Sequence, residues 1–153
     1  MAIALTVQKY LADNGVAYDL LPHHHTSSSM NTAQSAHIPG KNLAKSVILE
    51  DENGYLMAVI PATEHVKFRK LNHAVNRHMG MATESELESL FSDCELGAIP
   101  AVGNAYSMES IVDYKLESCS DIYFESGDHE ELVHIKGSSF RKLMKHSHHA
   151  TIC

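Results

Sequence analysis

LAKSVILEDENGYLMAVIP, residues 43–61, is the stretch on which the reading of the fold turns. Two strand-like runs, Ser46 to Glu50 and Tyr55 to Ile60, flank Asp51-Glu52-Asn53-Gly54. Asn-Gly supplies the positive backbone angles that a tight hairpin turn needs, so the stretch predicts two antiparallel strands. Val47, Leu49, Met57 and Val59 are apolar and read as core. Lys45 stands at the entrance to the first strand, where on its own it reads as an edge lysine that discourages strand-to-strand aggregation.

Working outward, Ile3, Val7, Tyr10 and Leu11 recur at helical spacing ahead of Gly15, which predicts an opening helix with a glycine at its end. A short strand is expected from Val16 to Leu21. It is stopped by Pro22, and the polar run His23 to Ser29 follows as a loop. Its three adjacent histidines cannot easily converge on one ion, so no metal site is expected there. Ser29 is placed to cap a helix through Ala36, which Pro39 and Gly40 end. Beyond the hairpin, helices are expected across Lys67 to Arg77 and from Glu84 to Phe91, the second with Thr83 and Glu86 forming a capping box. Cys94 to Asn104 is loop-like, bent by Gly97, Pro100 and Gly103. Strands over Ser110–Asp113, Asp121–Glu125 and Glu131–Lys136 precede a last helix from Ser138 to about Lys145. Helices interleaved irregularly with hairpin-like strands imply an α+β architecture with a mixed, curved β-sheet.

The chain has 153 residues, 44% of them hydrophobic, which is enough for one core and a single domain over 1–153. A formal net charge of −7 argues against indiscriminate nucleic-acid binding, and DNA is not an expected partner. Charge is nonetheless uneven, with Lys41, Lys45, Lys67, Arg69, Lys70 and Arg77 followed by acidic Glu84, Glu86, Glu88, Asp93 and Glu95. Three widely separated cysteines, Cys94, Cys119 and Cys153, form no C-x-x-C pair and suit a reducing cytoplasm. The apolar opening Met1 to Leu5 is broken by Gln8 and Lys9, so neither a signal peptide nor a membrane span is expected. Ser27, Ser28 and Ser29 lie outside any nucleophile-elbow pattern.

The loop around His25 and Thr26, the lysine-bearing run Leu43 to Leu49 and its partner Leu56 to Pro61 come in that order. Met81-Ala82-Thr83 with Glu84 to Leu90 follows, then the glycine-rich Gly97-Ala98-Ile99-Pro100-Ala101-Val102-Gly103. Ile111-Val112-Asp113 and Ser126-Gly127-Asp128-His129 complete the series. In joint order and spacing, over nearly the whole chain, these pieces resemble the YbaK, ProX and prolyl-tRNA-synthetase insertion-domain family of trans-editing deacylases. The family usually carries proline at the fifth position of the glycine-rich loop, whereas this chain has Ala101, with Pro100 one place earlier.

The resemblance implies a mixed, curved sheet surrounded by helices and a cytoplasmic hydrolase that deacylates mischarged aminoacyl-tRNA without cofactor or metal. Its partners would be the acceptor end of aminoacyl-tRNA and, as a second candidate, a synthetase, with no membrane involved. Lys45 is the implied catalytic residue. Gly97, Ala98, Ile99, Pro100, Ala101, Gly103, Ser126, Gly127 and His129 are the implied substrate-binding residues. An aminoacyl ester is already activated, so a fixed cation and the loop's backbone N–H groups would suffice to stabilise the developing oxyanion. The competing expectation is a non-catalytic module that binds tRNA or a synthetase on the same fold.

Overall fold

The computed structural model describes residues 3–26 and 28–153. In chain order its elements are α1 (Leu5–Asp13), β1 (Asp19–Pro22), α2 (Ser29–Ser35), β2 (Ala44–Asp51), β3 (Gly54–Pro61), α3 (Phe68–Val75), β4 (Gly80–Met81), α4 (Glu84–Leu90), β5 (Ser110–Asp113), β6 (Asp121–Glu125), β7 (Glu131–Lys136), α5 (Gly137–Leu143) and β8 (His148–Ala150). Short 3-10 turns occupy Gly40–Asn42, Gly103–Tyr106 and Tyr114–Leu116.

The expected hairpin is the centre of the molecule. β2 and β3 pair antiparallel from Ala44 opposite Pro61 to Asp51 opposite Gly54, with Gly54 at φ +126° in the turn. Arg77 clamps that turn by donating from Nε and Nη2 to the two carboxylate oxygens of Asp51, at 2.9 and 2.6 Å. Around the hairpin the strand order is β4-β2-β3-β5-β8, with β3, β5 and β8 mutually parallel and the other pairings antiparallel. A second group, β1-β7-β6, is antiparallel and meets the first through one bridge between Leu43 and Tyr123. The α+β class and the mixed sheet are therefore as expected.

Both faces of the hairpin are covered, which is why its strands read as nearly unbroken apolar runs. Ala44, Ile48, Met57 and Val59 face the larger core, with Val7 and Leu11 of α1, Phe91, Phe124 and Phe140. Leu49, Leu56, Ala58 and Ile60 face a second cluster with Leu71 of α3, Met79 and Ile152.

Several expected boundaries shift. Ser28, not Ser29, caps α2: its backbone is extended and its Oγ accepts from the Asn31 N–H at 3.1 Å. The strand expected from Val16 is only Asp19–Pro22, and Pro22 is tolerated because β1 is an outer strand. α3 stops at Val75 because Asn76 turns left-handed at φ 52°. β4 and β8 escape sequence reading because two- and three-residue strands carry no usable periodicity. Among the described residues no helix is long and apolar enough to cross a membrane.

Candidate functional site

The free side of β2 is where the site forms. At one end the Ala82 N–H donates to the Ile48 carbonyl at 3.1 Å, and at the other Leu43 bridges Tyr123. Between them no strand among the described residues pairs with β2 on that side. Hydrogen-bond direction alternates along a strand. Leu43 accepts from Ala62 on the β3 side and Ile48 accepts on the opposite side, so Ser46 presents its main-chain N–H and C=O to the gap. A cavity of about 180 Å³ fills this gap, lined by residues 43–48 of β2 and its approach, Ala82, Leu87 of α4, Gly97, Ile99 and Glu125.

Lys45, Gly97 and Ile99 border that one cavity. Lys45 is half-buried, pairs with Ile60 in the ladder, and makes no ion pair among the described residues. Burial pulls its pKa below the ordinary lysine value, while the Cys153 and Glu64 side chains oppose the shift. It also borders a neighbouring hollow with Met30, Thr63 and His65, so it stands at the rim between the two.

The Gly97 turn is tied to β2 by Ser46, whose hydroxyl donates to the Ile99 carbonyl at 3.0 Å. Gly97 adopts φ +83°, a conformation that disfavours any Cβ. The Ala98 N–H is already given to the Glu95 carbonyl, whereas no backbone carbonyl among the described residues takes the N–H of Gly97 or Ile99.

The remaining residues expected in the site do not line the cavity. Ala98 and Ala101 are fully buried, Pro100 is buried, and Gly103 sits so close to Ser110 that a Cβ would lie 2.5 Å from its Oγ. These are core positions, because the loop's apolar side chains turn inward and leave only Gly97 and Ile99 at the cavity. Ser126, Gly127 and His129 brace the turn from behind. Ser126 is fully buried and accepts from the Ala4 N–H at its carbonyl, and Gly127 accepts from the Glu95 N–H at 2.7 Å. The His129 Nε2–H donates to the Leu96 carbonyl, and its ring lies where a Cβ on Gly97 would come within 3.0 Å.

Sequence reading missed Ser46 and Glu125. Glu125, at the end of β6, is 7% exposed and lines the cavity. Its Oε2 accepts from Thr32 Oγ1 at 3.1 Å, and its Oε1 lies 3.5 Å from His23 Nε2. The His23 side chain is wholly buried, so the polar run read as a loop hides an interior ring. Burial pushes the Glu125 carboxyl upward, against the pull of His23 and Thr32. Only a pairing across three distant elements reveals the group, and alternation within β6 gave no hint of it.

The sequence profile of the aminoacyl-tRNA editing domain matches residues 23–143, which include every cavity residue named above. This chain belongs to that family. Among solved structures, the editing-domain chain is similar to one described as a candidate trans-editing enzyme for prolyl tRNA synthetase, at TM-score 0.82 and 20% identity over 97% of this chain and 95% of that one. Hypothetical protein APE2540 superposes at TM-score 0.82 with 18% identity, covering 96% and 98% of the two chains. A chain described as a signal transduction protein from Marinobacter aquaeolei VT8 matches 99% of this one at TM-score 0.80 and 19% identity, but only 31% of its own length is covered. These likenesses establish the fold. No curated protein sequence matches the chain significantly.

Proposed function

We propose that this editing domain hydrolyses the ester of mischarged aminoacyl-tRNA in the cavity beside β2. The observation that carries the reading is that Lys45, Gly97 and Ile99 border one small cavity in a chain of this family. The acyl group enters the cavity, and its ester carbonyl lies between the Lys45 ammonium and the N–H groups of Gly97 and Ile99, which no backbone carbonyl among the described residues takes. Charge that develops on the carbonyl oxygen as water attacks is stabilised by a fixed cation and by dipoles already in place, in surroundings partly cleared of water. No covalent nucleophile is needed, because the ester is activated and water is the attacking group. The cavity's volume, about 180 Å³, favours a small acyl group. The acceptor end of the tRNA is the partner, and a synthetase is a second candidate. The free thiols of Cys94, Cys119 and Cys153 suit a cytoplasmic setting.

The test is release of free amino acid from alanyl-, cysteinyl-, seryl- and threonyl-tRNA by the purified chain and by Lys45→Ala. At least one substrate is expected to be hydrolysed, with the variant ~100- to 1,000-fold slower and still folded by circular dichroism. Unchanged release by the folded variant would remove Lys45 from the mechanism. Binding of tRNA without release from any substrate would make the chain a binding module instead.

A further inference from the structure

The deacylation chemistry proposed above makes no use of Glu125, yet this carboxylate is the cavity's single acidic lining residue among those described. It is more than nine-tenths buried, and among the described residues its Oε1 accepts no hydrogen bond of good geometry. His23 Nε2 stands 3.5 Å from that oxygen without hydrogen-bonding geometry. His23 Nδ1 lies 2.7 Å from its neighbour's carbonyl at His24, which can only accept, so Nδ1 carries a proton there. Nε2 faces Glu125 Oε1, and among the described residues neither atom has a hydrogen-bond partner of good geometry. A buried group in this position is short of hydrogen-bond donors. Lys45 does not supply them: no hydrogen bond or ion pair joins it to Glu125 among the described residues, and the groups that act on its charge are Cys153 and Glu64.

We infer that Glu125 is the recognition group for the α-ammonium of the aminoacyl ester. An ammonium offers several N–H donors, and Glu125 Oε1 accepts from none among the described residues. Lys45 and the Gly97 turn would then hold the ester while Glu125 holds the amine, so the cavity reads both ends of the aminoacyl group. This inference rests on the cavity being an aminoacyl-ester site. It predicts discrimination against acyl groups of equal size that lack the amine, and it makes Glu125 a substrate-binding residue.

The experiment compares two unreactive amides of 3′-amino-3′-deoxyadenosine, one carrying alanine and the other lactic acid, in which a hydroxyl replaces the amine at matched size. Binding of each to the full chain is measured by titration calorimetry, together with Glu125→Gln. The alanyl compound is expected to bind about tenfold or more tightly than the lactyl compound, and the preference to vanish in Glu125→Gln. Equal binding of the two compounds by the unaltered chain overturns the inference without recourse to any variant, which covers the case of a Glu125→Gln protein that does not fold. A preference that persists in folded Glu125→Gln overturns it as well. Failure of both compounds to bind overturns the inference together with the site reading. Loss of turnover on aminoacyl-tRNA with the ammonium preference intact sinks the hydrolase assignment alone.

Discussion

Gly97 combines a φ of +83° with a neighbour, His129, whose ring would lie 3.0 Å from an added Cβ. Gly97→Ala is therefore expected to destabilise the chain by about 1–2 kcal/mol from backbone strain alone. It should also lower kcat/KM, because the shifted backbone carries Gly97, which lines the cavity, out of place. Urea denaturation and deacylation assays measure the two effects, and His129→Ala should reduce the stability cost of Gly97→Ala by removing the ring the new methyl meets. Lys45 makes a pH prediction with a definite sign. Its pKa is lowered from 10.5 by burial, so activity that needs the ammonium should fall on the alkaline side, at a pH below 10.5. A pH profile of kcat/KM, corrected for uncatalysed ester hydrolysis, reads that limb, and a flat alkaline profile would contradict the role. At this scale a glycine in a bend is visible without coordinates, whereas Lys45 by itself reads as an edge lysine and is singled out only by the resemblance to the editing family. The sequence did not expose Glu125, whose neighbours His23 and Thr32 are about a hundred positions away in the chain.

α4 shows how an element with little core of its own can hold a cavity wall. None of its seven residues is fully buried, yet it carries Leu87 to the cavity. A helix this short is unstable by itself, so its capping box matters more than usual. Thr83 Oγ1 accepts from the Glu86 N–H at 3.2 Å, and Glu86 Oε1 accepts from the Thr83 N–H at 3.0 Å. Thr83→Ala is expected to cost about 1 kcal/mol in thermal or urea unfolding and to raise KM as the wall frays. Hydrogen exchange in α4 should rise more than in β2. This box was legible in the sequence because a cap needs only residues three apart. The Asn53-Gly54 turn was legible for the same local reason. Ser28 displaced Ser29 as the cap of α2 because adjacent serines offer the same chemistry, and only backbone angles distinguish them.

At the scale of the whole molecule, Asp113 ties the end of β5 to the segment after β8. Its carboxylate, 1% exposed, accepts from the N–H groups of Lys115 at 2.8 Å, Ile152 at 2.8 Å and Cys153 at 3.2 Å. Burial raises its pKa, but the three backbone donors together with the Cys153 thiol outweigh that, and the net shift is downward. The stability it contributes is therefore present above the ordinary aspartate range and lost as pH falls through the lowered value. Asp113→Ala should destabilise the chain by roughly 3 kcal/mol near neutral pH, and denaturant titrations should show the difference shrinking in strong acid. The parallel run of β3, β5 and β8 was not legible beforehand, because its pairings join residues far apart in sequence and leave no local pattern. The free side of β2 at Ser46 has a second meaning beyond chemistry. An unpaired strand margin is a template for other polypeptides, and Leu87 together with the Gly97 bend shutters it. Trimming that shutter to admit bulkier acyl groups would uncover the template as well, so broader substrate range would come with poorer solubility.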